Sequence, residues 1–199
     1  MTAIVVPFRG ADAKRRLAPA QDEARASLAL AMLADVLAAC GALGRTVVVT
    51  GDEAARTVAV ELGVAALDDP GGGQGSAVAY ALALVPVAPT LVVNADLPCV
   101  VPDDLRALEA AIPPGGLALA PAADGTTNAL GLSDPRLFRP LYGAGSAERF
   151  RTLGDAAMVE VPSLVDDVDT LEDLMRLEER VAELEEAARR RGDDDPPSA

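Results

Sequence analysis

Apolar residues along the first 110 positions fall into short continuous runs, separated by longer stretches with helical spacing. Continuous apolar runs are typical of buried strands, and apolar residues three or four apart are typical of helices. The alternation predicts βαβ units around a parallel sheet. Asp52 can cap the second predicted helix and Gly63 can end it. The predicted strands are 4–8, 46–50, 64–67 and a run from Leu91, and the predicted helices are 22–43, 52–62, 76–84 and 102–111.

The pattern is less regular beyond residue 112, and we interpret 113–157 as an insertion that serves a substrate. A last helix over 170–191 has apolar residues at helical spacing, but its far end is mostly Glu and Arg, so it protrudes or pairs with a partner. We therefore predict an α/β fold with three layers, α/β/α, around a mostly parallel central sheet. One domain spans 1–191, and a disordered acidic tail spans 192–199. The other elements predicted here are strands 117–120, 129–132 and 158–161 and a short helix, 146–153.

Composition excludes several classes of function. The net charge is −14, which argues against nucleic-acid binding. The chain has no histidine, so it lacks the commonest general base and zinc ligand. No apolar run approaches the ~20 residues of a membrane span, and the N-terminus lacks a basic signal region. Cys40 and Cys99 have no metal-like spacing, which favours reduced thiols in a cytoplasmic protein without membrane partners.

Acidic residues stand at two positions where a ligand could bind, one at the end of a predicted strand and one directly before a predicted helix. Asp96 ends the run that begins at Thr90, and Asp167 and Asp169 stand directly before the last helix. The carboxyl ends of parallel strands are where open α/β sheets bind ligands. One or two carboxylates with phosphate oxygens suit Mg2+. Asp169 could instead cap the last helix.

Two loops could bind a nucleotide phosphate or base. The loop after the first strand carries Arg9 and Lys14, the only lysine among 17 basic residues. A second loop, 71–75, is rich in glycine and opens the helix at Ser76, so its backbone could approach a ligand through Gly72 and Gly75. Each loop taken alone could equally be an ordinary surface loop.

A third set of residues could bind a second phosphate. Thr127 follows Thr126, and Gly143 and Gly145 precede the predicted helix that begins at Ser146. Main-chain N–H groups in such a glycine-containing loop can bind anions. Ordinary capping of the helix by Ser146 is the alternative.

Taken in order, these segments resemble the guanylyltransferases of coenzyme F-420 biosynthesis, which act on 2-phospho-L-lactate or phosphoenolpyruvate. The resemblance covers residues 4 to about 178. It rests on Val-Pro and Lys-x-x-Leu near the N-terminus, Asn-Ala-Asp-Leu-Pro, Asp-Gly-Thr-Thr-Asn-Ala-Leu, Tyr-Gly-x-Gly-Ser and Asp-Val-Asp-Thr-x-Glu-Asp-Leu. The first loop lacks the Gly-rich form found in sugar nucleotidyltransferases, so the resemblance does not assign the residues that read the base.

The resemblance implies a fold like that of nucleotide-diphospho-sugar transferases and a role for each segment. It implies that Lys14 contacts phosphate, that Arg9 lies beside GTP, and that Gly72, Gly75 and Ser76 border the guanine. It implies that Asp96 and one or both of Asp167 and Asp169 bind Mg2+. It also implies that Thr127, Gly143 and Ser146 bind the phosphate of the acceptor, largely through main-chain amides.

The predicted reaction is transfer of GMP from GTP to a small phosphorylated carboxylic acid, with release of pyrophosphate. A phosphate monoester has its second pKa near ~6, so the acceptor is anionic at pH 7 and needs no general base. The predicted acceptor is phosphoenolpyruvate or 2-phospho-L-lactate, with the composition favouring phosphoenolpyruvate, and 3-phosphoglycerate also remains open. The rival functions are nucleotidyl transfer in another pathway, such as molybdenum cofactor guanylylation, and a non-enzymatic binding module. We expect a monomer or homodimer that could contact the next enzyme of the pathway.

Overall fold

The computed structural model describes residues 2–10, 22–85, 88–165, 167–168, 173 and 175–176. These residues contain seven strands, six α-helices and a one-turn 3-10 helix. In chain order the elements are β1 Ala3–Pro7, α1 Asp22–Leu43, β2 Arg45–Thr50, α2 Glu53–Glu61, β3 Ala65–Asp68, α3 Gln74–Leu84, β4 Thr90–Val93, α4 Pro102–Ala110, β5 Leu117–Pro121, β6 Thr127–Leu132, the 3-10 helix Pro135–Leu137, α5 Ser146–Arg151, β7 Ala156–Met158 and α6 Pro162–Val165.

All seven strands belong to one sheet with the order β3-β2-β1-β4-β6-β5-β7. The first four strands in this order are parallel, and the helices α1, α2 and α3 connect them in chain order as crossovers. β6 is antiparallel to both of its neighbours, β4 and β5, and β7 is parallel to β5. The prediction of a mostly parallel α/β sheet is therefore confirmed.

Side chains alternate between the two faces of the sheet and build two hydrophobic layers. Ile4 and Val6 of β1 face one layer, with Leu33 and Leu37 of α1, Leu105 of α4 and other residues of α2 and α6. Ala3 and Val5 of the same strand face the opposite layer, which contains α3 and α5. The predicted three-layer α/β/α architecture is confirmed by this arrangement.

Local signals fix the ends of several elements. The predicted bounds of α1, 22–43, match the structure. Asp52 caps α2, because its Oδ1 accepts hydrogen bonds from the N–H groups of Ala54 and Ala55 at 2.9 and 3.2 Å. Gly63 follows α2 with a φ of +68°, a conformation that glycine adopts without a steric penalty.

Three predictions about the second half are wrong. Residues 113–157 are not an insertion, because they supply β5, β6 and β7, three of the seven strands of the sheet. The strand predicted at 158–161 is instead Ala156–Met158, and the short helix α6 follows at Pro162–Val165. The short helix predicted at 146–153 ends at Arg151. Of the predicted helix 170–191, Asp173, Met175 and Arg176 are helical, and the rest lies outside the described residues with the tail 192–199.

By length and composition alone, helix α1 is long and apolar enough to cross a membrane. The expectation that no segment approaches that length is therefore wrong. One face of α1, however, packs on the sheet, and Leu33, Val36, Leu37 and Cys40 are fully buried there. A core helix with this packing has the same composition as a spanning helix.

Cys40 and Cys99 are not joined in a disulfide. Cys40 is buried in α1, and burial raises the pKa of its thiol to about 12. Cys40 is therefore protonated at neutral pH and acts as a small apolar core residue.

Candidate functional site

The ends of two neighbouring strands, β1 and β4, open into a cavity of about 180 Å3. This is the edge at which open α/β sheets bind ligands, since the loops after adjacent parallel strands leave a crevice there. The side chain of Arg9 is exposed, and that of Asp96 is half-buried. The cavity is lined by Pro7, Phe8, Arg9, Gly10, Ala29, Met32, Gln74, Asn94, Ala95 and Asp96.

A larger cavity of about 610 Å3 lies between the C-terminal half of α3 and the 3-10 helix. Its charged lining residues are Asp134 and Arg136, which form an ion pair with each other at 2.6 Å. Their charges are therefore already neutralised, and none of the residues predicted to bind a ligand lines this cavity. The smaller cavity, which both Arg9 and Asp96 line, is the candidate functional site.

The backbone of the first loop passes close to α2. Gly10 has a φ of +97°, and a Cβ atom at this position would lie 3.2 Å from Oδ2 of Asp52. A larger residue would therefore be strained here. Lys14, which follows in the same loop, lies outside the described residues.

The glycine loop has a conformation that explains its sequence. Gly71, Gly72 and Gly73 have φ values of +81°, +83° and +94°, a series that only glycine adopts readily. Helix α3 begins at Gln74, two residues earlier than predicted, because the carbonyl of Gly73 accepts the N–H groups of Ser76 and Ala77. Gly75 has a packing role, since a Cβ there would lie 2.6 Å from Cβ of Pro140.

A chain of amide hydrogen bonds connects the cavity with strand β6. Nε2 of Gln74 donates to Oδ1 of Asn94 at 2.7 Å, and Nδ2 of Asn94 donates to the carbonyl of Thr127 at 3.1 Å. The N–H of Asn94 donates to the carbonyl of Asn128 at 2.9 Å. Sequence reasoning missed Gln74 and Asn94 as site residues, although both stand beside predicted ones.

The two acidic segments meet, as predicted. The N–H of Val168 donates to the carbonyl of Asp96 at 3.1 Å, which brings Asp167 next to the loop that carries Asp96. Residues 167 and 168 are not part of a strand, so alternation along a strand does not decide how Asp167 and Asp169 point. Asp169 lies outside the described residues. No group of three His, Cys, Asp or Glu side chains with metal-binding geometry occurs in the described part of the chain.

The side chain of Asn128 holds the segment that leads into Asp167. Its side chain is buried, and Nδ2 donates to the carbonyls of Leu164 and Val165 at 3.0 and 3.2 Å. These carbonyls are at the end of α6, two to three residues before Asp167, and satisfying them is what a buried helix end requires. The sequence showed Asn128 only as part of a motif, with no indication of this contact.

The residues predicted to bind the second phosphate also come together. The hydroxyls of Thr127 and Ser146 are both buried and lie 3.0 Å apart. Gly143 and Gly145, with φ values of +109° and +69°, form the loop directly before Ser146. Since Thr127 and the amide of Asn94 are hydrogen-bonded, this loop and the cavity are connected through the start of β6.

Comparison with known proteins gives a consistent picture. Residues 2–177 match the family model described as "Guanylyl transferase CofC like". The chain is 36% identical over 184 residues to the phosphoenolpyruvate guanylyltransferase of Streptomyces coelicolor, covering 86% of this chain and 87% of that protein. It is 38% identical over 191 residues to the phosphoenolpyruvate guanylyltransferase of Sphaerobacter thermophilus, covering 88% of this chain and 92% of that protein.

Solved structures share the fold at lower identity. The 2-C-methyl-D-erythritol 4-phosphate cytidylyltransferase of Thermus thermophilus has a TM-score of 0.63 and 20% identity, over 90% of this chain and 98% of that one. The glucosyl-3-phosphoglycerate synthase of Mycobacterium tuberculosis, solved with Mg2+ and UDP, has a TM-score of 0.56 and 13% identity, over 80% of this chain and 68% of that one.

Proposed function

The chain belongs to the CofC-like guanylyl transferase family, and from this premise we propose that its acceptor is phosphoenolpyruvate. The chain is a nucleotidyltransferase of coenzyme F-420 biosynthesis, and it transfers GMP from GTP with release of pyrophosphate. The choice of phosphoenolpyruvate over 2-phospho-L-lactate is supported by the relatives, which are named for that acceptor at 36% and 38% identity. Neither molybdenum cofactor guanylylation nor a binding module finds support among them.

One structural observation carries the proposal. The cavity at the ends of β1 and β4 and the loop 143–146 are joined through Asn94 and Thr127, so a nucleotide and a second phosphate compound could lie side by side. Holding two reactants in contact is the main requirement of a transfer between two anions. Two ligands that bind independently and do not react with each other would not require the cavity and the loop to be connected.

GTP is proposed to occupy the cavity beside Arg9, with its guanine towards Gly72, Gly75 and Ser76. Because residues 71–73 are glycines, this part of the loop has no side chains that would block a flat base. Lys14 is proposed to contact the phosphates. Its compact ammonium would act as a point charge, which the planar guanidinium of arginine does not reproduce.

Asp96 and Asp167, with Asp169 as a possible third ligand by sequence, are proposed to hold Mg2+. Two carboxylates on adjacent loops fit this ion, which binds proteins through one or two carboxylates and takes phosphate oxygens and waters as its other ligands. When bound, Mg2+ would neutralise charge on the triphosphate and on the pyrophosphate that leaves. The acidic residues by themselves would repel GTP, so the proposal requires the ion.

The phosphate of the acceptor is proposed to bind at Thr127, Gly143 and Ser146. One of the hydroxyls of Thr127 and Ser146 donates to the other, so one O–H of the pair and the main-chain N–H groups of the loop are left as donors for an anion. An acceptor oxygen would attack the α-phosphorus of GTP, and the bond from that phosphorus to the oxygen of pyrophosphate would break. The absence of histidine from the sequence is compatible with a nucleophile that is already ionised.

Purified protein should release pyrophosphate from GTP and Mg2+ when phosphoenolpyruvate is added. 2-Phospho-L-lactate and 3-phosphoglycerate serve as parallel acceptors, and ATP and CTP as parallel donors. The guanylylated product is reactive, so the assay should trap it with the next enzyme of the pathway or detect it by mass spectrometry. Release no faster than in the mixture without acceptor would reject the proposed activity. Preference for 2-phospho-L-lactate would reject the proposed acceptor alone.

Asn128→Ala should lower both stability and affinity for Mg2+. It removes two donors and leaves the carbonyls of Leu164 and Val165 unsatisfied, which we expect to reduce the free energy of unfolding by about 2–4 kcal/mol. Because the end of α6 then loses its anchor, more Mg2+ should be needed to raise the melting temperature. Thermal unfolding at increasing Mg2+ measures both effects. Leu130→Val, on the same strand but facing the opposite layer, should lower stability without changing the dependence on Mg2+.

A further inference from the structure

The loop Leu141–Gly145 is held by one side chain, that of Arg149 in α5. Nε and Nη2 of Arg149 both donate to the carbonyl of Leu141, at 3.2 and 2.8 Å. Nη2 also donates to the carbonyl of Tyr142 at 3.3 Å, and Nη1 donates to the carbonyl of Ala144 at 2.6 Å. A guanidinium reaches three carbonyls at once because its five N–H groups lie in one rigid plane.

These bonds also fix where the N–H groups of the loop point. In a planar trans peptide the C=O and the N–H point in opposite directions. Since the carbonyls of Leu141, Tyr142 and Ala144 face Arg149, the N–H groups of Tyr142, Gly143 and Gly145 face away from it. Among the residues that the structure describes, these three N–H groups have no hydrogen-bond acceptor.

The opposite side of the loop is fixed by packing. The ring of Tyr142 lies edge-on to Phe150 with centroids 5.3 Å apart, and lies 6.1 Å from the ring of Phe138. Phe150 is fully buried, and burial raises the pKa of Tyr142. The aromatic cluster therefore places the loop, while Arg149 sets the rotation of its peptide planes.

We propose that Arg149 is a positioning residue for the acceptor: its guanidinium orients the main-chain N–H groups of Tyr142, Gly143 and Gly145 towards the acceptor phosphate. The inference rests on the proposed function, since it assigns the loop to the acceptor and not to GTP. Arg149 does not contact the acceptor itself, because its N–H groups are directed at the carbonyls. Preorganised N–H donors of this kind bind an anion without reorganising when it arrives.

Two variants separate orientation of the loop from simple attraction of charge. Arg149→Ala removes both the charge and the fork, and Arg149→Lys keeps the charge but cannot make the same set of bonds. Arg151→Ala is the matched control, because it removes the same charge from the same short helix. Arg151 is ion-paired with Glu148 at 2.6 Å and does not contact the loop in the structure.

Arg149→Ala and Arg149→Lys should both raise the KM for the acceptor about 10- to 100-fold, the range expected for lost charge-assisted hydrogen bonds. The KM for GTP should change less than about twofold, because the loop lies outside the nucleotide cavity. Arg151→Ala should leave both KM values unchanged. Wild-type acceptor KM in Arg149→Lys would show that charge alone matters and would overturn the inference. Equal effects of Arg149→Ala and Arg151→Ala would overturn it too.

Amide hydrogen exchange tests the loop without any turnover. Exchange at Ser146, whose N–H donates to the carbonyl of Gly143 at 2.9 Å, should become at least about tenfold faster in Arg149→Lys and Arg149→Ala, and should stay unchanged in Arg151→Ala. Unchanged exchange in both Arg149 variants would overturn the proposed positioning role of Arg149 even if the protein were active. Faster exchange in the Arg149 variants, combined with no acceptor-dependent turnover in the wild type, would reject the proposed function but support the role of Arg149 in holding the loop.

Discussion

Asp96→Asn should abolish guanylyl transfer at saturating Mg2+ and leave the fold intact. Asparagine has the same shape, and the carbonyl of residue 96 can still accept the N–H of Val168. The change removes one of two adjacent carboxylates, so the remaining site binds Mg2+ weakly and leaves the charge of the pyrophosphate unneutralised. We expect kcat to fall about 100- to 1000-fold or more, as for the loss of other transition-state contacts to developing charge.

The matched control for this change is Asp103→Asn. Asp103 lies seven residues further along the chain, and its exposed carboxylate pairs with Arg106 at the surface of α4. Its loss should change kcat less than about twofold. Binding of GTP without Mg2+ separates a metal ligand from a nucleotide ligand. Asp96→Asn should bind GTP at least as tightly as the wild type under those conditions, because a repelling charge has been removed. Wild-type turnover at saturating Mg2+ would remove Asp96 from the metal site.

Lys14→Ala should reduce turnover about 1000-fold while the melting temperature stays within a few degrees of the wild type. Lys14 is the only lysine of the chain, and it follows Gly10, which lines the cavity, by four residues. Four residues span at most ~14 Å, within reach of a triphosphate bound in the cavity. A phosphate-contacting lysine acts by neutralising charge that grows during transfer.

Variants and labelling make this prediction specific. Lys14→Arg should recover only part of the activity, since the guanidinium is larger and planar. Arg106→Ala removes a positive charge from the exposed surface of α4 and should be active. Because the chain has a single lysine, an amine-selective reagent modifies Lys14 and the N-terminus only. Such modification should inactivate the wild type, and GTP with Mg2+ should slow it. Full activity of Lys14→Ala would reject the proposed role.

Local sequence signals account for most of the elements in the first half. The strand β1 and helix α1 follow from periodicity, because a buried strand and a helix that packs on a sheet impose different spacings on apolar residues. The start of α2 follows from Asp52 and its end from Gly63, because capping preferences act within a few residues. The glycine loop was also predicted from the sequence. The start of α3 at Gln74 was not, because it depends on the hydrogen bonds that the carbonyl of Gly73 accepts.

The second half was predicted less well for a different reason. The sequence predicted strands at 117–120 and 129–132 but not that they belong to the main sheet, because β5 and β6 are buried on both faces and show no alternation of polar and apolar residues. Their place in the sheet depends on pairing between β4 and β6, and the paired residues Val92 and Leu130 are 38 positions apart in the sequence. Local propensity contains no record of such a partner.

The sequence by itself determined the fold class and the family, and it predicted Asp96 and Asp167 as metal ligands and Thr127 and Ser146 as binders of the acceptor, because these depend on residue type and order. The tertiary structure alone decided which residues support them. Asn128 contacts carbonyls 36 and 37 residues away, and Asn94 joins the cavity at the ends of β1 and β4 to β6. Such bonds form between side chains and backbone groups that folding brings together, so local sequence patterns do not predict them. Arg149 looked like one arginine among 16, and only the direction of three carbonyls gave it a role.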